Sequence, residues 1–176
     1  MYEQLWVMIT LLGSPLLSTA FVICLTGIYF LLGIRHPMGK EAAGYRRLLK
    51  KYLLLIIPAL AISMLGSELL KLAFMVPRPC IMCPAPGCNP YCPITFSFPS
   101  GHAATSTGIV TALYLLLRRR RYLPLFILPL LVAASRIILD VHTVTDVAAG
   151  LIFGFLITML VWRYRKRLYK WEDEIL

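Results

Sequence analysis

Long apolar runs broken by short clusters of basic residues restrict what this chain of 176 residues can become. An apolar helix crosses about 30 Å of hydrocarbon in roughly 20 residues, and the sequence offers several runs near that length. Leu16 to Ile34, Tyr52 to about Met75, Tyr122 to about Leu139 and Val144 to Trp162 read as spans, and Gly101 to Leu117 as a shorter fifth. Met1 to Leu12 reads as a short interfacial or re-entrant helix, cut from the first span by Gly13-Ser14-Pro15. Pro58 is expected to kink the second span. Gly27, Gly66, Gly108, Gly150 and Gly154 suit close helix packing. The expected fold class is therefore an all-α integral membrane bundle of about five helices, six with the N-terminal segment, forming a single domain over 1–176. Hydrophobic residues make up 59% of the chain and charged ones 15%, which agrees with a membrane protein. No Lys or Arg precedes Arg35, so the basic start of a cleavable signal peptide is missing, and the first segment is expected to be retained.

The net charge of +10 does not point to nucleic acid, because the cations are confined to inter-span blocks. Arg35, Lys40, Arg46, Arg47, Lys50 and Lys51 lie between the first two spans. Arg118 to Arg121 lie between the third and fourth, and Arg163, Arg165, Lys166, Arg167 and Lys170 follow the last. All fifteen fall on one side, which the positive-inside rule makes cytoplasmic, with the N-terminus outside and the C-terminus inside. The other three cations, Lys71, Arg78 and Arg136, map to the opposite face. Three cations kept together on the disfavoured side suit an anion clamp.

The outer loop, 77–99, holds seven of the twelve prolines and four of the five cysteines, Cys80, Cys83, Cys88 and Cys92. It reads as a stiff lid without regular secondary structure. An even number of close cysteines on an outer face favours two disulfides, in any of three pairings, over a four-thiolate zinc site. Cys24, within the first span, is expected to be a buried apolar residue.

Directly after that loop comes Phe98-Pro99-Ser100-Gly101-His102. Pro99 resists helix, Ser100 suits an N-cap, and Gly101 permits close approach to the backbone. A helix start of this kind collects anions, and His102 in its first turn can pass a proton to a group leaving that anion. Further on, Ser135-Arg136 precedes His142 and Asp146, whose spacing of four places them on one helical face if the helix includes both. A carboxylate there can fix the tautomer of the imidazole and leave its other nitrogen free to attack.

Read together, these segments resemble the signature of the type 2 phosphatidic acid phosphatase superfamily of membrane lipid phosphatases. The matching positions are Lys71, then Arg78-Pro79; Pro99-Ser100-Gly101-His102; and Ser135-Arg136, then His142 and Asp146. The resemblance covers about residues 67–150. It implies that His142 is a nucleophile forming a phosphohistidine, oriented by Asp146, and that His102 protonates the leaving oxygen and then activates water. It further implies a phosphate cradle of Lys71, Arg78, Arg136, Ser100 and the Gly101 amide, with no cofactor and no metal. The implied setting is a plasma-membrane, multi-pass enzyme facing the extracytoplasmic side. Its implied partners are the bilayer and a substrate such as phosphatidic acid, phosphatidylglycerophosphate or a polyprenyl diphosphate, with no nucleic acid. Two features depart from the family pattern: Asp140 stands where glycine is common, and six spans are usual. Glu68, one turn before Lys71, can pair with it or line the entrance. Competing expectations are phosphotransfer through the same intermediate, metal-assisted hydrolysis using Asp140, His142 and Asp146, and non-catalytic lipid binding or transport.

Overall fold

The structure, a computed structural model, describes residues 2–35, 40–82 and 92–175. Among them there are helices and connecting turns but no strand. The helices are α1 (Tyr2–Leu11), α2 (Pro15–Arg35), α3 (Lys40–Phe74), α4 (Gly101–Leu117), α5 (Ile127–Ile138) and α6 (Val144–Ile175). Short 3-10 segments cover Pro79–Met82 and Arg120–Phe126. Among the described residues, three stretches are long and apolar enough to cross a membrane: Leu49–Phe74, Arg120–Ile138 and Val144–Tyr164. The pair Gln4–Leu11 and Leu16–Ile28 passes the same test jointly but bends by 44°, at the expected break. α3 runs through Pro58 without a gap.

At 17 residues, or roughly 26 Å of rise, α4 is short for a span, yet it is the centre of the bundle. α3, α5 and α6 pack around it, and α2 touches it more lightly. Every residue from Ala103 to Gly108 is buried. That position explains its polar composition. Thr105, Ser106 and Thr107 need not face lipid, and their hydroxyls donate back to carbonyls of the preceding turn. Contact with α6 is close enough to require glycine. A Cβ at Gly154 would lie 2.1 Å from the Ala104 carbonyl oxygen, and one at Gly150 would lie 2.4 Å from that of Ser100. Gly27, by contrast, faces open space, so it serves no packing role of the kind expected.

At the end of the bundle away from the site, Tyr52, Leu55, Ile56, Ala59 and Leu60 of α3 form an apolar core with Ala112 and Val161. Nearer the site, Ala103, Ala133 and Val147 close a smaller one. The antiparallel course of α3 to α6 brings the C-terminal ends of α3 and α5 to the same end as the N-terminal ends of α4 and α6. The turn after α1 is clipped onto this end: the Thr105 hydroxyl donates to the Gly13 carbonyl at 2.7 Å.

Two expectations change here. Cys24 is exposed on the bundle surface, beside an apolar groove of about 580 Å³ bordered by Phe21, Ile109 and Val132. It is exposed because α2 sits at the margin of the bundle, packed chiefly on α3. The loop after α3 is also not wholly irregular, since it opens with the 3-10 turn Pro79–Met82. Cys80 in that turn is disulfide-bonded to Cys92. Cys83 and Cys88 lie outside the described residues.

Candidate active site

α3 ends at Phe74, with Met75 in the left-handed region (φ 49°), and the chain turns across the end of the bundle. That turn delivers Arg78 to a set of fixed acceptors. Its Nε donates to the Thr95 carbonyl at 2.7 Å and its Nη2 to the Thr95 hydroxyl at 2.9 Å. Its Nη1 donates to the Val141 carbonyl at 2.9 Å and lies 3.1 Å from His142 Nε2. An arginine only donates hydrogen bonds, so Nε2 meets it with a lone pair.

His142 lies just before α6, not within it; the helix begins at Val144. The helical-face argument therefore gives way to a different local device. The Thr143 amide donates to Asp146 Oδ2 at 2.7 Å, and the Asp146 amide donates to the Thr143 hydroxyl at 3.3 Å. This reciprocal pair is a capping box with Asp in the place of Glu. It holds the carboxylate 3.5 Å from His142 Nδ1, too long for a good hydrogen bond. Ser97 fills the gap. Its hydroxyl donates to Asp146 Oδ2 and lies 3.2 Å from His142 Nδ1. With that proton committed to the carboxylate, Nδ1–H is the donor to Ser97, which agrees with the lone pair that Nε2 turns toward Arg78. Burial, with Arg78 and Arg136 adding to it, pushes the His142 pKa down to about 4 against the opposing pull of Asp146. The ring is thus neutral near pH 7. Burial also lowers the Arg78 pKa, opposed by Asp146 and Glu68, and the guanidinium stays charged.

The remaining groups complete a cavity of about 360 Å³, whose lining includes Lys71, Arg78, Gly101, His102, Arg136 and His142. Lys71, Arg78, Arg136, His142 and Asp146 are each 7% exposed or less. Lys71 Nζ bonds Glu68 at 2.6 Å, the pairing the sequence allowed, so one cation is partly neutralised. Arg136 Nη1 donates to Thr10 of α1 at 2.8 Å, while its Nε is buried without a partner among the described residues. His102, half-buried in the first turn of α4, has no side-chain hydrogen bond among the described residues. Ser100 occupies the N-cap position, but its hydroxyl makes no cap bond. That hydroxyl is buried without a partner among the described residues, and the Ser100 amide donates to the Asp146 carbonyl. Asp140 is exposed at φ 55°, a left-handed turn after α5. Glycine suits that geometry best and Asp tolerates it, so the departure is conformational in origin. No three His, Cys, Asp or Glu side chains gather as a metal set among the described residues, so Asp140 does not join His142 and Asp146.

The structure brings Lys71, Arg78, Gly101, His102, Arg136 and His142 to one cavity, with Asp146 beside His142, while the Ser100 hydroxyl expected in the cradle is buried without a partner among the described residues. It adds Ser97, Thr95 and Thr10, which the sequence reading missed. Ser97 lies in the loop directly before Pro99-Ser100-Gly101-His102, and that proximity is the one signal it carried. Thr10 is 126 positions from Arg136 and carried none.

Residues 52–170 match the family model of the PAP2 superfamily. Two solved structures are similar. One is a transmembrane PAP2-type phosphatidylglycerolphosphate phosphatase from Bacillus subtilis, with TM-score 0.69 and 23% identity over 94% of this chain and 77% of that one. The other is LpxE of Aquifex aeolicus, with TM-score 0.67 and 23% identity over 93% and 86%. At that identity the likeness establishes a shared fold. No curated protein matches the chain significantly.

Proposed function

This chain belongs to the PAP2 superfamily, and from that premise we propose that it hydrolyses the terminal phosphate of a membrane lipid phosphate or diphosphate without a metal. One observation carries the reading: His142 presents an unprotonated Nε2 beside Arg78 at 3.1 Å, in a cavity lined by two further cations. A neutral imidazole with a fixed tautomer is a ready nucleophile toward phosphorus. Clustered cations favour a phosphate and oppose a divalent ion.

In the first step the Nε2 lone pair attacks phosphorus, and the bond to the lipid oxygen breaks. The leaving oxygen takes its proton from His102, which faces the cavity. In the second step His102, now neutral, takes a proton from water, whose oxygen attacks the phosphohistidine and releases inorganic phosphate. Lys71, Arg78 and Arg136 stabilise charge on the equatorial oxygens throughout. The site lies at helix ends, which suits an amphiphile with its headgroup in the cavity and its tail in lipid. The charge asymmetry of the sequence supports an extracytoplasmic active site and an outer N-terminus, its apolar runs support five spans, and the family resemblance supports a multi-pass protein of the plasma membrane.

Phosphate release in detergent from phosphatidic acid, phosphatidylglycerophosphate and a polyprenyl diphosphate tests this, with and without chelator, on the intact chain and His142→Ala. Chelator-resistant release that the substitution abolishes is the expected result. Release that needs a metal or survives loss of His142 would overturn the mechanism. No release from any of the three would favour phosphotransfer or lipid binding.

A further inference from the structure

We infer that Ser97 is a positioning residue that couples Asp146 to the nucleophile His142, an inference that rests on the phosphohistidine reading above. The direct contact between His142 Nδ1 and Asp146 Oδ2 is 3.5 Å, beyond useful hydrogen bonding. The Ser97 hydroxyl touches both groups, donating to the carboxylate and lying 3.2 Å from Nδ1. It is fully buried, so no solvent competes for either contact. Its backbone is anchored as well: the Ser97 amide donates to the Val76 carbonyl at 2.8 Å, in the segment that carries Arg78. One residue thus ties together the loop holding the cation, the carboxylate and the imidazole.

The chemistry gives this link a task. As Nε2 spends its lone pair on phosphorus, the ring gains positive charge while Nδ1–H stays in place. That charge reaches Asp146 through Ser97. The leaving oxygen takes its electron pair from the broken P–O bond and its proton from His102, so Ser97 itself neither gains nor loses a proton overall. Without the hydroxyl, the acceptor left to Nδ1–H among the described residues is Asp146 Oδ2, at 3.5 Å a weak partner. The ring is then free to turn, or to carry its proton on the attacking nitrogen.

The test compares the intact protein with Ser97→Ala, Ser97→Cys, Ser97→Thr and His142→Ala in detergent. It measures kcat, KM and the inhibition constant of inorganic phosphate. Partners that orient a metal-bound imidazole typically contribute 10–100-fold, and a partner that orients an attacking imidazole acts in the same way. Ser97→Ala is expected to lower kcat by about that factor, with KM and the phosphate inhibition constant within about threefold. Ser97→Cys, of similar size but a poor donor, is expected to match it, and Ser97→Thr, which keeps a hydroxyl, to recover most of the loss. A kcat of Ser97→Ala and Ser97→Cys near the intact value would overturn the inference. So would a loss in kcat matched by weaker phosphate inhibition, because that signature belongs to a damaged cradle. If Ser97→Ala is not monodisperse, the Cys and Thr variants decide alone, with a Thr variant no better than Cys counting against the hydroxyl. Turnover surviving in His142→Ala would instead sink the phosphohistidine reading itself.

Discussion

The two histidines of the cavity are held in opposite ways. His142 sits outside any helix, is 3% exposed, and has Arg78 on one ring nitrogen and Ser97 on the other. His102 sits within a helix, is half-buried, and has no side-chain hydrogen bond among the described residues. The contrast matches the demands of phosphoryl transfer. A nucleophile must keep one tautomer and one direction of attack through every cycle. An acid that meets leaving oxygens on different lipids, and then a water, works better when its ring is free to adjust. On the proposed mechanism, one wall of the cavity is held in advance by hydrogen bonds, and the other engages the substrate.

The largest expected effect would sharpen that contrast. His102→Ala should cost about 10²–10⁴-fold in release from a lipid phosphate, whose alkoxide needs a proton to depart. With p-nitrophenyl phosphate, whose leaving group departs as an anion, the loss should shrink to about tenfold or less if hydrolysis of the phosphohistidine is not limiting. His142→Ala should remove turnover of both substrates. Equal losses for both substrates in His102→Ala, with no phosphohistidine accumulating, would break the assignment of roles.

A second test concerns protonation of the fixed wall. The His142 pKa is lowered to about 4, chiefly by burial, so the neutral nucleophile persists well below pH 6.5. Acylation of His142 by diethyl pyrocarbonate, followed by mass spectrometry, should continue down to about pH 5 and fade near 4. The linked effect on stability has a definite sign. An unfolded imidazole takes up its proton near pH 6.5 and the native one only near 4. His142 therefore favours the native state fully above about pH 6.5, and that contribution declines as pH falls toward 4. Loss of labelling near pH 6.5 would mean an ordinary, solvated ring.

The next effect is smaller, because it acts through a single cation. Thr10→Val keeps the size of the side chain but removes the acceptor for Arg136 Nη1. Leaving a buried guanidinium with one fewer partner typically costs 1–3 kcal/mol, so weaker phosphate inhibition and a KM several-fold higher are expected. Unchanged kinetics would mean that α1 plays no part in the cradle.

These tests also mark what the sequence could disclose. Lys71, Arg78, His102, Arg136, His142 and Asp146 were legible because charged and imidazole side chains stand out among apolar runs and lie here at the spacings of the family signature. The chain reversals that gather them were legible in the apolar runs and the basic blocks between. Ser97, Thr95 and Thr10 were not, because a hydroxyl residue has many ordinary uses and only three-dimensional neighbours single one out. The central position of α4 was half-legible, in its run of Thr105, Ser106 and Thr107, which is too polar for a helix facing lipid. The exposure of Cys24 was hidden, since periodicity does not say which face of an all-apolar helix finds a partner.

The smallest effect tests whether the fixed wall owes its rigidity to covalent bracing. Cys80 lies two residues after Arg78 and Cys92 three residues before Thr95, so the disulfide closes the loop across the same gap that the Arg78–Thr95 bonds span. Cutting it frees a loop whose ends stay pinned by Arg78 and by the Ser97–Val76 backbone bond. Cys80→Ser is therefore expected to lower kcat only about two- to fivefold, while lowering the temperature of unfolding by several degrees. The same variant on the Thr95→Ala background should lose more than the two changes separately, since each contact compensates for the other. Additive losses would mean that the disulfide and the arginine hold the loop independently.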